Sequence, residues 1–418
     1  MLHILSVMAL PITHFDPARQ AWMQAEGLRR LMEAIKAGGG EARFVGGCVR
    51  DALSGRAVRD VDLAVDLPPE KTAEILAGAG LKVVPTGIAH GTVTAVADHK
   101  GYEITTLRRD VETDGRRAKV VFTDDWQADA ARRDFTFNAL YADDRGKIFD
   151  YFEGQADLAR GHVRFIGQAR DRIREDVLRI LRFFRFHAWF GLGPPDEAGL
   201  VACQELSHLL PQLSAERVWR EISKLLAAQN PLPAWQIMQG QGILVHVLPE
   251  ATEVARLERL LTVTHEYDAQ TSSLVRLAAL LKPEASAVAV AQRLRLSNKE
   301  AGRLEALRAL PVRLRESLEA KSLRRVLYAS GAAEVRDALC LLGAQEPGLD
   351  LQEALAEIGR WEKPLFPVQG SDILKLGVAA GPAVGERLRA VEAWWVEQDF
   401  RPVRAECLAR AKSLDEKA

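Results

Sequence analysis

The chain has 418 residues, 48% hydrophobic and 27% charged, which gives length for several packed domains and excludes a disordered or low-complexity protein. Its 56 Lys and Arg are balanced by 57 Asp and Glu for a net charge of −1, so a polyanionic partner must be drawn by local basic surface rather than by the whole molecule. Cys48, Cys203, Cys340 and Cys407 lie far apart without CxxC spacing, which excludes a disulfide scaffold and points to a reducing, cytoplasmic setting.

The first dozen residues are apolar, yet they lack a basic leader and a small-residue cleavage site and are too short to span a bilayer. They predict a loosely placed extension that shares 1–40 with a first helix, and no membrane partner. Strand-rich runs alternate with short helices over 41–155. Arg43-Phe44-Val45 leads into Gly46-Gly47, a helical turn over 48–53, a strand over 58–65 and a helix over 69–79 whose first turn carries proline. The stretches 91–97 and 102–107 read as a hairpin around Asp98-His99-Lys100-Gly101. Polar, glycine-containing 110–121 reads as a mobile loop. Past about residue 165 the strand signals stop, and Leu-, Ala-, Arg- and Glu-rich segments of helical period are punctuated by prolines. The expected order is therefore α+β, a mixed-sheet head over 41–155, then all-helical neck (156–230), body (231–345) and tail (346–418).

Two constellations carry chemistry. Along a strand, alternate side chains share a face, so Asp60 and Asp62 project together while Val61, Leu63 and Val65 enter the core. Paired carboxylates suit Mg²⁺, a hard cation that binds through one or two carboxylates and substrate phosphates. A lone D-x-D is more often a solvated acidic strand. Upstream, however, Gly46-Gly47 lets backbone N–H groups approach a phosphate, and Arg50 stands one turn into the following helix to offer a charged fork. Glu103, sharing a strand face with Thr105 and Leu107, is a further carboxylate candidate, although a neighbouring Arg would explain it equally well. The second constellation is the helix around 176–185, in which Asp176, Arg179 and Arg182 share one face, with Arg185 further round. Ordinary ion pairing on a solvated face is the plain alternative there. It is the plain alternative also for the ten Arg and Lys over 293–325, which otherwise offer a basic surface to a polyanion.

GGCVRD at 46–51 and DVD at 60–62, followed by HGTVTAV, YEITTLRRD, RRDFTFNAL at 132–140 and REDVLRILRFFRF at 174–186, resemble the class II tRNA nucleotidyltransferase and bacterial poly(A) polymerase family. The resemblance covers about 43–230 and implies a polymerase-β-like nucleotidyltransferase head. It implies that Asp60 and Asp62 are catalytic and hold two Mg²⁺ ions, and that Gly47, Arg50, Arg133, Arg182 and Arg185 serve the nucleoside triphosphate, with Arg132 and Asn138 assisting. It further implies that Asp176 and Arg179 read the base. The chemistry agrees, because cytosine and adenine each present an amino donor beside a ring-nitrogen acceptor, matching a carboxylate and a guanidinium. Guanine and uracil present the reverse order and leave both groups unpaired. The implied reaction is CCA addition to the 3′ end of tRNA from CTP and ATP without a template. A poly(A) polymerase, an enzyme adding only CC or only A, and a non-catalytic RNA-binding protein are the alternatives. In the same family, the segment at 110–121 implies a switch from C to A, with Arg116, Arg117 and Lys119 near RNA, and the motif at 216–221 implies packing of neck helices. No His-Asp dipeptide occurs, so no metal-dependent phosphohydrolase activity is expected.

Overall fold

The computed structural model describes residues 12–88, 91–114 and 117–414; the extension read at 1–11 lies outside them. Two compact units are found, Met1–Pro249 and Glu250–Ala418, and the boundary falls within the stretch assigned above to the body.

The first unit opens with α1 (Glu26–Ala37), whose Leu28, Leu31, Met32 and Ile35 recur at helical spacing and are buried, while Arg29 pairs with Glu26 and Glu33 outside. Next come β1 (Ala42–Val45), α2 (Gly47–Leu53), β2 (Asp62–Val65), α3 (Pro69–Gly78), β3 (Lys82–Gly87), β4 (Thr92–Ala97) and β5 (Lys100–Thr106). The turn between β4 and β5 is tighter than expected. Asp98 and His99 both take positive φ (50° and 60°), the geometry of a two-residue hairpin turn. The polar segment that reads as a loop is instead a two-stranded antiparallel hairpin, β6 (Arg108–Asp114) and β7 (Arg117–Phe122), with a register shift between Asp110 and Glu112. Backbone pairing needs no apolar alternation, so these residues carry no strand signal. Of its candidate RNA contacts, Arg116 lies outside the described residues, and Arg117 and Lys119 are placed on β7.

After α4 (Trp126–Ala131) the sheet is completed by β8 (Leu140–Ala142) and β9 (Ile148–Asp150), giving the order β3-β4-β5-β2-β1-β8-β9. It is mixed: β2 and β5 run parallel with Asp62 opposite Glu103, and the other pairs are antiparallel. The helices α5 (Gly154–Arg160), α6 (Ala169–Glu175), α7 (Leu178–Phe190), α8 (Glu197–Leu206), α9 (Ala215–Leu226) and α10 (Leu232–Gly240) follow. An aromatic seam fixes α7 against the 132–140 segment: Phe135 and Phe137 meet Phe183, Phe186 and Phe190 with ring centroids 5.4 to 6.3 Å apart. At about 1 kcal/mol per pair beyond area burial, this seam sets the position of α7 more firmly than any single ion pair does.

The second unit is helical throughout its described residues, apart from connecting turns and an isolated bridge. Among the ten cations over 293–325, Arg293 pairs with Glu250, Arg303 with Asp337, Arg315 with Glu346, and Arg324 with Glu357 and Asp399, while Arg308 donates to the carbonyls of Lys282 and Pro283 and Arg325 to the Glu397 carbonyl. The basic run is thus largely a packing device. Trp395 is buried with Val368, Ile373, Val391, Cys407 and Ala411, and Tyr328, Trp394 and Phe400 close over it, so the tail owns a core.

Candidate active site

A cleft of about 640 Å³ in the first unit collects the motifs. It is lined by Gly46, Gly47 and Arg50 from the glycine turn, Asp62 and Glu103 from the sheet, and Arg132, Arg133, Asp134 and Asn138 from the next motif. Asp176, Arg179, Arg182 and Arg185 close it from α7 and the residues before it. Asp60 is not among the lining residues.

The glycine turn is built by backbone geometry. Gly46 sits at φ +69°, donates its N–H to the Leu140 carbonyl (3.1 Å) and accepts from the Arg50 N–H (3.0 Å), so the chain leaves β1 and enters α2 within one residue. Arg50 is pre-set. Its guanidinium donates to Asp51 (2.8 Å) and to Asn138 Oδ1 (2.6 Å) and lies 4.6 Å from the Phe190 ring centroid.

The strand expected over 58–65 begins only at Asp62, which removes Asp60 from it. β1 pairs with β2 no further than Phe44 opposite Leu63, and β5 no further than Glu103 opposite Asp62, so residues 58–61 have no partner strand. Asp60 is exposed in the extended approach to β2. Ala64 is buried along with Val61, Leu63 and Val65, because both faces of β2 beyond Asp62 are covered. Asp62 heads the strand with its side chain open to the cleft, and its carboxyl is raised from the ordinary aspartate value by partial desolvation from the surrounding walls, then by the charges of Glu103 and Asp60, with Arg133 opposing. Glu103 thus stands beside Asp62 as a third acidic oxygen source, in strand register.

The helix expected around 176–185 is broken at its start. α6 ends at Glu175, Asp176 takes φ −150° and ψ 105°, and α7 begins at Leu178. Asp176 therefore sits in the break rather than on a shared helix face; its carboxylate accepts from the Leu178 N–H (3.1 Å) and from Arg217 Nη2 (2.8 and 3.0 Å). Arg179 donates to Glu175 (2.6 Å) and to the carbonyls of Arg172 (2.9 Å) and Arg132 (3.3 Å). Both still face one cleft. Arg182 binds Asp134 (2.6 Å), and Arg185 lies 3.1 Å from Glu221. Burial lowers Arg185 to about 10 despite that partner.

Asp129, 1% exposed, organises the remainder: it accepts from Arg132 (2.8 Å), Arg133 (3.0 Å) and the Tyr141 hydroxyl (2.7 Å). Burial alone would raise its carboxyl, and Arg133 and Arg132 outweigh that to hold it at about 2. A bonded chain, Arg50 to Asn138 to Asp134 to Arg182, ties α2 to α7. Sequence reasoning missed Arg217, Asp134, Thr92, Thr105, Arg108 and Lys224. Arg217 stood in the motif read as helix packing, and its partner Asp176 lies 41 positions away, so no local pattern could have signalled the pair.

Sheet, carboxylates and cationic wall together define a nucleotidyltransferase head, and comparison with known proteins agrees. Residues 42–164 match the Poly A polymerase head domain, and 195–254 match the family described as probable RNA and SrmB-binding site of polymerase A. The mitochondrial CCA tRNA nucleotidyltransferase 1 of Mus musculus is 34% identical over 401 residues, 93% of this chain and 90% of its own. The CCA-adding enzyme of Streptococcus sanguinis is 39% identical over 240 residues, 57% of this chain and 59% of its own. The solved CCA-adding enzyme of Bacillus stearothermophilus in complex with CTP superposes with a TM-score of 0.72 at 26% identity, covering 93% of this chain and 98% of that one. The chain belongs to the CCA tRNA nucleotidyltransferase family.

Proposed function

We propose that this protein adds C, C and A to the 3′ end of tRNA from CTP and ATP, with residues 41–155 as catalytic head, 156–230 as base-reading neck, 231–345 as body and 346–418 as tRNA-contacting tail. The observation that carries the reading is the cleft in which the glycine turn, Asp62 with Glu103, and Asp176 with Arg179 meet. In it Gly47, Arg50, Arg133, Arg182 and Arg185 hold the triphosphate. Asp176 accepts from the exocyclic amine of cytosine or adenine, and Arg179 donates to the ring nitrogen. Arg217 keeps Asp176 aimed, and the contacts of Arg179 to Glu175 and two carbonyls fix its fork, so the protein selects the base without a template.

Mg²⁺ fits the acidic end. Asp62 in register with Glu103, with the charge of Asp60 acting on it, offers hard oxygens whose mutual repulsion a divalent cation relieves. When bound, such ions supply charge neutralisation at the reacting phosphate. The 3′ oxygen of the RNA forms a bond to the α-phosphorus, its proton passes to solvent, and the bond to the bridging oxygen breaks to release pyrophosphate. Four buried, unpaired cysteines support a reducing compartment such as the cytoplasm. The test is single-nucleotide incorporation into tRNA lacking its terminal CCA, with each NTP in turn. C incorporated from CTP alone, and A only after two C residues, is expected; use of UTP or GTP at comparable rates removes the base-reading assignment.

A further inference from the structure

Resting on the reading of Gly46 and Gly47 as the triphosphate end, we propose that Thr92 and Thr105 bind the terminal ribose of the RNA being extended and read its 2′ hydroxyl. Displacement at phosphorus places attacking and leaving oxygens roughly in line. The order of strands across the sheet converts that rule into a location. β1 delivers the glycine turn on one side of β2, while β5 and then β4 lie on the other side. Pyrophosphate departing over the glycine turn therefore requires the attacking hydroxyl to approach over β5 and β4.

On that side the cleft is lined by Glu103, Thr105 and Thr92. Glu103 and Thr105 are two residues apart on β5 and share a face, and Thr92 is the residue directly across from Thr105 on β4. The two hydroxyls are 3.1 Å apart, both half-buried, and bonded to each other. Such a pair spends one proton internally and retains one donor and several lone pairs for a ligand. A 2′ hydroxyl is both donor and acceptor, which is the complement of that pair. Neighbouring Glu103 and Asp62 accept but cannot donate when ionised, so the threonines place a neutral hydroxyl donor beside them. The site thus distinguishes an RNA end from a deoxyribose end even though both carry the attacking 3′ hydroxyl.

The experiment uses two tRNA substrates without CCA that differ only in the last sugar, ribose or 2′-deoxyribose, with CTP and Mg²⁺. The intact enzyme should favour the ribose end by about tenfold in kcat/KM, the size of one good hydrogen bond. The double variant Thr92→Val/Thr105→Val should lose that preference with KM for CTP unchanged, and Thr105→Ser, which restores a hydroxyl, should keep it. Equal use of both ends by the intact enzyme overturns the proposal, as does a double variant that keeps the full preference or loses affinity for CTP instead. An intact enzyme that adds C to neither end overturns the underlying triphosphate reading.

Discussion

The charged form of Asp62, to which the proposed function gives the chemistry, is opposed by partial desolvation and two like charges, so the residue is poorly placed for stability. Its folded carboxyl is raised relative to the unfolded chain, hence the folded state binds the proton more tightly and stability falls as pH rises through the interval between the two values. Asp62→Asn should abolish incorporation yet raise the melting temperature at pH 7 in the absence of divalent cations. That gain should vanish once pH drops below the ordinary aspartate range. Melting curves of both proteins at pH 7 and pH 3 check the sign, and a variant less stable at pH 7 would show that the acidic repulsion is already relieved within the fold. Arg179 makes a different prediction. Arg179→Ala should raise misincorporation of U and G by at least tenfold while tRNA affinity changes little, since the proposed function gives this guanidinium the base edge and it sits among protein carbonyls. Strict selectivity in the variant, read by sequencing products, would place base choice elsewhere.

Elements bring these residues together through buried polar joints. Asp129 on α4 draws in Arg132, Arg133 and Tyr141, and its carboxyl is depressed to about 2, so its contribution is complete above the ordinary aspartate range and is lost as pH falls through about 2. Asp129→Asn should cost about 3 kcal/mol at neutral pH by stranding two part-buried guanidiniums. The difference from the parent in urea melts should shrink between pH 4 and pH 2. At this scale the sequence was legible where periodicity or turn chemistry was strong: α3, the glycine turn and the β4–β5 hairpin stand close to their expected places. It was opaque where partners decide. Residues 58–61 have the composition of a strand but no neighbour to pair with, the polar 108–122 segment pairs with itself, and Asp176 leaves the helix because its carboxylate caps the next one and meets Arg217. Long-range ion pairs such as Arg182 with Asp134 leave no local pattern in a single sequence.

Across the whole molecule, a net charge of −1 conceals sharp local specialisation. Eight cations of the first unit line one cleft, while most of the basic run in the second unit is spent on internal pairing. RNA affinity should accordingly be sensitive to salt in proportion to the few phosphates contacted, not to the total count of Arg and Lys. The motifs legible in the sequence lie in the first unit, and the family relationship extends over 93% of the chain. On the function proposed above, one cleft builds a defined three-nucleotide end and then stops. The most direct test is to incubate the protein with tRNA lacking CCA, Mg²⁺, CTP and ATP, and to sequence the 3′ ends. Products ending in CCA with no further extension are predicted. Long A tails, ends that halt at CC, or no addition at all would contradict the account.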